Sequence, residues 1–180
     1  MSSGAVVVEQ ARRADLPELA AVAAATFPLA CPPSSTPENI AAFIAENLSE
    51  QRFGDYLGDP ERVLLIAREN SGAIAGYAML IRGVPDDDDV QRAVELRPAI
   101  ELSKIYVLPQ RHGAGAAPAL MTDALQRAAT LGFSSVWLGV NQTNERAQRF
   151  YRKHGFTVNG TKTFRLGAGI ENDYVMVRPV

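Results

Sequence analysis

The chain has 180 residues, 47% hydrophobic and 21% charged, with a formal net charge of -2. This suits one domain over residues 1–180 with a well-buried core, and it gives no global attraction to nucleic acid or anionic lipid. The lone cysteine, Cys31, cannot close an intramolecular disulfide, the apolar tract over residues 19–29 is too short to cross a bilayer, and no secretory leader is evident, so the expected compartment is the cytoplasm, with no membrane partner.

In chain order, the valines at residues 6–8 predict a strand, and Asp15, Leu16 and Pro17 supply a cap and an early proline for a helix running to about Ala25. The proline-rich stretch over residues 27–35 reads as irregular. Thr36 and Pro37 repeat the start signal ahead of Ile40, Phe43, Ile44 and Leu48, which share one helical face. Residues 63–67 and 74–81 are apolar strands joined by a turn at Asn70, Ser71 and Gly72. Residues 83–98, with the acidic run at 86–89, read as a solvated loop with one short helical turn; near an acceptor site its carboxylates would attract a cationic amine.

Residues 101–107 then form a strand that runs into Gln110, Arg111, His112, Gly113, Ala114, Gly115 and Ala116, a glycine-rich turn opening a helix. Leu120, Met121, Ala124, Leu125 and Ala128 line the buried face of that helix. Glycine permits positive φ and close backbone approach, and a helix N-terminus favours an anion, so the turn is a phosphate site. It is not a nucleotide triphosphate loop, because Gly115 is followed by Ala116 and Ala117 and not by lysine. It is not a dinucleotide fingerprint either, because Pro118 stands where a third small residue belongs and no acidic residue follows at the required distance.

A short strand over residues 137–140 leads into a second pattern: Asn144, Ala147, Phe150, Tyr151, Gly155 and Phe156, spaced along a helix that ends at a glycine. Strands over residues 156–165 and 173–178 close the chain around a hairpin loop at 166–170.

Together the two patterns resemble the signatures of the GCN5-related N-acetyltransferase (GNAT) superfamily. The resemblance implies an α/β (α+β) fold with a central mixed, mostly antiparallel, splayed sheet of about seven strands flanked by about four or five helices. It implies acetyl-coenzyme A as acyl donor and no metal. The pantetheine arm would bond the main chain of Ile105, Tyr106 and Val107, and the pyrophosphate would lie on Gln110, Arg111, His112, Gly113, Ala114, Gly115 and Ala116. Asn144 would contact the coenzyme arm as well as cap its helix, and Tyr151 would protonate the leaving thiolate while also contacting the coenzyme. Ala114 replaces a basic residue that many members carry.

Glu101 shares, by strand alternation, a face with Ser103, Ile105 and Val107. A carboxylate in an apolar strand is costly unless it works or pairs. In the family this place often holds a general base, and a salt bridge to Lys104, Arg97 or a partner from elsewhere in the chain is the structural alternative. Lys104 is expected to face solvent, and His154 to be a cation at a helix C-terminus. Cys31 lacks a basic partner nearby in sequence that would make it a nucleophile.

The acceptor would be a primary amine of a small molecule or a peptide. Residues 101–109, with Phe164, Leu166, Gly167, Asp173 and Met176, resemble the bacterial spermidine/spermine N-acetyltransferase branch, which points to a polyamine; peptide N-termini, aminoglycosides and other small amines stay open, as does a homodimer. A non-catalytic acyl-coenzyme A sensor is the alternative of another class, against which the retention of both Glu101 and Tyr151 argues. A ribosome-associated peptide binder would want a basic face that this composition lacks.

Overall fold

A computed structural model describes residues 6–110 and 115–180. Its seven strands are β1 (Val6–Gln10), β2 (Arg62–Glu69), β3 (Ile74–Arg82), β4 (Ala99–Val107), β5 (Ser135–Asn141), β6 (Thr157–Leu166) and β7 (Gly169–Pro179). They form one sheet in the order β1-β2-β3-β4-β5-β7-β6. Every neighbouring pair is antiparallel except β4 and β5, which run parallel. A parallel pair needs a crossover, and the helix α5 (Ala116–Thr130) provides it. The mixed, mostly antiparallel seven-stranded sheet expected from the motifs is therefore present.

The other helices are α1 (Leu16–Ala30), α2 (Pro37–Asn47), α3 (Glu50–Gly58), α4 (Asp88–Ala93) and α6 (Glu145–Lys153). Two differ from the sequence reading. Helix α1 runs five residues beyond Ala25, continuing in its last turn through Pro28, whose missing N–H forgoes the bond to the Ala24 carbonyl. Buried Phe27 anchors that turn by stacking on Phe43 at 4.5 Å between ring centroids. Helix α3 has no counterpart in the sequence reading, since Gly54 and Gly58 dilute its propensity. A cap from Ser49 to the Arg52 N–H (3.1 Å) and the buried Phe53 and Tyr56 nonetheless hold it. The carboxylate of Asp15 does not cap α1; it accepts from the Arg12 N–H (2.9 Å) and pairs with Arg68 (2.8 Å), tying the chain entry to β2.

Both faces of the sheet are covered, which explains the continuous apolar runs in β2 and β3. Leu65, Ala67, Ala78, Leu80 and Leu102 pack with α5 in one layer. Leu64, Ile66, Tyr77 and Met79 pack with α1 and α3 in the other.

One irregularity overturns the expected facing of β4. The β3–β4 register pairs Met79 with Lys104 but Leu80 with Leu102, so Ser103 is an extra, bulged residue. One extra residue flips everything beyond it to the opposite face. Ile105 and Val107 thus join the α5 layer with Leu102, while Tyr106 joins the α1 layer. Lys104, paired with Met79, and Glu101, paired with Ile81, also fall on that second face. Glu101 consequently does not share a face with Ile105 and Val107; its neighbours are Lys104 and Tyr106.

Where β3 crosses the end of β4, a Cβ on Gly76 would lie 2.5 Å from the Tyr106 carbonyl oxygen and 2.8 Å from Val107 Cγ2. Gly76→Val should therefore push the strands apart and cost about 1–3 kcal/mol by overpacking. Urea unfolding will show this as a lower midpoint at unchanged slope; an unaltered midpoint would mean that the strands part without cost.

Candidate active site

The ladder between β4 and β5 contains only Ala99 with Ser135, Ile100 with Val136, and Glu101 with Trp137. Beyond Glu101 the strands diverge, although β4 stays paired with β3 as far as Val107 and β5 stays paired with β7 as far as Asn141. The parting begins beside the Ser103 bulge, which bends and twists its strand. A cleft of about 560 Å³ occupies the opening. Its walls come from residues 101–107, the C-terminal end of β5, the first turn of α5, α6, and the aromatic rings of Phe27, Phe43 and Phe164.

At the α5 end, Gly115 caps the helix with φ 78°, the positive value that the glycine permits. Intrahelical bonding begins with the Ala119 N–H to the Gly115 carbonyl (3.1 Å), and Pro118 has no N–H. Ala116 and Ala117 therefore present the first N–H groups of α5, and Ala117 lines the cleft. Gln110 is exposed just before the turn. Arg111, His112, Gly113 and Ala114 lie outside the described residues.

Helix α6 contributes the next group of side chains. Asn144 accepts from the Ala147 N–H (3.2 Å), capping the helix, and it also lines the cleft. Gln148, which no sequence pattern marks, donates from one amide nitrogen to the carbonyls of Asn141 (3.2 Å) and Gln142 (3.0 Å) and so fixes the turn from β5 into α6. Tyr151 faces the cleft with its ring against Phe150 and Phe156, at 5.7 and 6.0 Å. Burial pushes its phenol up to about 12, so it keeps its proton at neutral pH. His154 is not the expected cation: burial first, then Lys153 and Arg178, lower its pKa, and its ring lies tilted against Phe150 at 4.6 Å.

The other end of the cleft holds the charges of the second face. Burial raises the pKa of Glu101 against the opposing pull of Lys162, Lys104 and Arg62. Among the described residues the Glu101 side chain makes neither a hydrogen bond nor an ion pair within 4 Å. The salt-bridge alternative therefore lacks a partner in contact among the described residues. Arg97 instead donates to the carbonyls of Val94 (3.0 Å) and Gln91 (3.1 Å). Lys104 does not face bulk solvent as expected. It is half-buried in the cleft wall, and burial depresses its pKa to about 8, with Glu101 opposing the fall and Arg62 adding to it.

Two features here escape a reading of the sequence. Lys162 and Asp173 form an ion pair at 3.5 Å with side chains only 15% and 9% exposed, and it lies over Gly139, where a Cβ would come 2.6 Å from Lys162 Cε. On polar β6, Lys162 carries no signal that would separate it from a solvated face. The second feature is an aromatic wall, in which Phe43 stacks on Phe27 and meets Phe164 at 5.4 Å. The tip of the β6–β7 hairpin is held against α2 by the Ala168 N–H donating to Asn39 Oδ1 (3.2 Å), which closes this side.

Cys31 lies on the rim with its thiol donating to the Phe27 carbonyl (3.4 Å). Burial, with Glu171 adding, pushes that thiol up to about 11, the opposite of what a nucleophile needs. The acidic run keeps its structural reading: Asp87 caps α4 through the N–H groups of Asp89 (2.9 Å) and Val90 (3.2 Å), and Asp86, Asp87, Asp88 and Asp89 are all outside the cleft wall.

The Acetyltransferase (GNAT) family model matches residues 24–156. An uncharacterized N-acetyltransferase of Mycobacterium tuberculosis is 62% identical over 164 residues, covering 91% of this chain and 97% of that protein. Another, from Lactobacillus delbrueckii, is 28% identical over 171 residues, 95% of each chain. Among solved structures, the PaiA N-acetyltransferase of Thermoplasma acidophilum, determined in complex with coenzyme A, aligns with a TM-score of 0.76 at 18% identity, over 98% of this chain and 99% of that one. The ribosomal-protein-S18-alanine N-acetyltransferase of Escherichia coli aligns with a TM-score of 0.68 at 19% identity, over 98% and 94%. At these identities the structures establish the shared fold.

The environment of Lys104 has a direct chemical readout, because only the neutral amine reacts with acetic anhydride. Labelling of the Lys104 peptide across pH should be half-maximal near pH 8, below the ordinary 10.5. Glu101→Gln should move that midpoint lower still, since the carboxylate favours the ammonium. A midpoint near 10.5 would place the side chain in water.

Proposed function

This chain belongs to the GNAT acetyltransferase family, and we propose that it transfers the acetyl group of acetyl-coenzyme A to a primary amine of a small molecule or peptide by direct attack in a ternary complex. One observation carries the reading: a single cleft, opened by the parting of β4 and β5, is lined at once by the start of α5, Tyr151 and Glu101.

The coenzyme would lie along β4. The main chain of Ile105, Tyr106 and Val107 borders the opening and would bond the pantetheine arm as an added strand does. Tyr106 would act through its backbone alone, because its ring packs on the other face against Tyr77 at 5.7 Å and Phe27 at 6.5 Å. The pyrophosphate would be held by Gln110, Arg111, His112, Gly113, Ala114, Gly115 and Ala116, with the α5 dipole favouring its charge. Asn144 would contact the arm from the α6 side.

Glu101, directly or through a water, takes a proton from the acceptor ammonium. The resulting amine attacks the thioester carbonyl, the C–S bond breaks, and the Tyr151 phenol delivers its proton to the departing sulfur; the second N–H proton of the attacking nitrogen restores the phenol. A raised carboxyl pKa suits the first role because it makes the carboxylate a stronger base while still ionised. A raised phenol pKa suits the second, because the proton is in place when the thiolate leaves.

Calorimetry and thiol release test this directly. The chain should bind acetyl-coenzyme A, and Glu101→Gln should lower kcat by about 10²-fold or more with coenzyme affinity unchanged. A chain that binds the coenzyme yet acetylates no amine would favour the sensor alternative, and one that binds none would remove the reading altogether.

Tyr151→Phe keeps the ring between Phe150 and Phe156 and removes only the hydroxyl. Loss of an acid catalyst lowers the chemical step by about 10²–10⁴-fold, and single-turnover kinetics will isolate that step from product release. Unchanged single-turnover kinetics would reduce Tyr151 to a packing residue.

A further inference from the structure

Among the described residues, the charged side chains lining the cleft divide evenly between Glu101, Glu171 and Asp173 on one side and Lys104, Arg146 and Lys162 on the other. A site for a polycation would be dominated by carboxylates, and this one is not. Asp173 and Lys162 neutralise each other. Arg146 is an exposed residue of α6, and Glu171 is a rim residue beside Cys31. The charges left facing the cleft are Glu101 and Lys104, and neither side chain has a hydrogen bond or an ion pair within 4 Å among the described residues.

They stand on one face of β4 because of the Ser103 bulge. Three residues with a bulge between them advance a strand by roughly two ordinary steps, about 6.5–7 Å. The two opposite charges are thus presented side by side yet unpaired. A half-buried ammonium with no counter-ion in contact is costly, and a ligand carrying an anionic group would reduce that cost. Beside this pair rises the wall of Phe27, Phe43 and Phe164.

We infer that the acceptor is a compact zwitterion, an α-amino acid with a bulky apolar or aromatic side chain. Its ammonium meets Glu101, its carboxylate is bound by Lys104, and its side chain lies against Phe27, Phe43 and Phe164. The inference rests on the acetyl-transfer reading above and adds Lys104 as the residue that selects the acceptor. A polyamine fits less well, because a further ammonium group would meet Lys104.

The test compares L-phenylalanine and L-leucine with L-phenylalaninamide, phenethylamine and spermidine, following thiol release from acetyl-coenzyme A and the mass of the product. A charge-assisted pair lost with the carboxylate should lower kcat/KM for the amide and the simple amine by about 10–100-fold relative to the free acid. Lys104→Met should raise KM for the amino acid by a similar factor and erase the preference for acid over amide, Lys104→Arg should retain part of it, and the acetyl-coenzyme A Kd should not change. Should Lys104→Met fold poorly, the acid-to-amide ratio of the unaltered protein decides. Turnover of spermidine, phenethylamine or the amide equal to or above that of both amino acids overturns the inference while leaving acetyl transfer standing. So does a preference that survives Lys104→Met. Absence of acetyl-coenzyme A binding would overturn both.

Discussion

A strand that carries one residue more than its neighbour cannot keep register with strands on both sides. In β4 that residue is Ser103, and the strand stays with β3 and leaves β5 after Glu101. Main-chain pairing is satisfied on one edge, while the other opens into a cleft. The same extra residue decides which side chains reach it: without the bulge, strand alternation would set Glu101 with Ile105 and Val107, whereas with it Glu101 shares a face with Lys104 and Tyr106. A local irregularity therefore sets both the position of the cleft and its chemistry.

The rest of the fold supports that opening. Helix α5 covers one face of the sheet and brings its N-terminus to the cleft, and Gly115 at φ 78° makes the entry possible. The sharp turn from β5 into α6, held by Asn144 and Gln148, brings Tyr151 to the opposite wall. Helices α1 and α2 and the β6–β7 hairpin meet through Phe27, Phe43 and Phe164 to build the third side. Two carboxylates and two lysines are held here with little water around them, and only Lys162 and Asp173 are paired with each other. Fully paired charges or apolar residues would be more stable. Unpaired charge at a cleft is the kind of local conflict expected where binding or chemistry takes place.

Much of this was legible in the chain. The apolar runs of β2 and β3, the glycine turn before α5 and the Asn144-to-Phe156 pattern are local features, and the elements they indicate are found where they indicate them. The features that escaped share a cause, in that each depends on a contact distant in sequence. Helix α3 is held by burial of Phe53 and Tyr56 against its propensity; α1 extends through Pro28 because Phe27 stacks on a ring sixteen residues away. His154 carries the residue type of a helix-terminal cation, but burial, with Lys153 and the distant Arg178 adding to it, lowers its pKa.

The sequence by itself determined the order of the elements apart from α3, and it singled out the candidate turn before α5 and the candidate pair Glu101 and Tyr151, because these depend on residue type and near spacing. Only the tertiary structure decided that Lys104 looks into the cleft beside Glu101, that Lys162 and Asp173 form a buried pair over Gly139, and that three phenylalanines from α1, α2 and β6 make one wall. The physical reason is register. A bulge is defined by the pairing of two strands, and neither strand records it alone; a one-residue slip between β3 and β4 reversed the facing of every side chain that followed it.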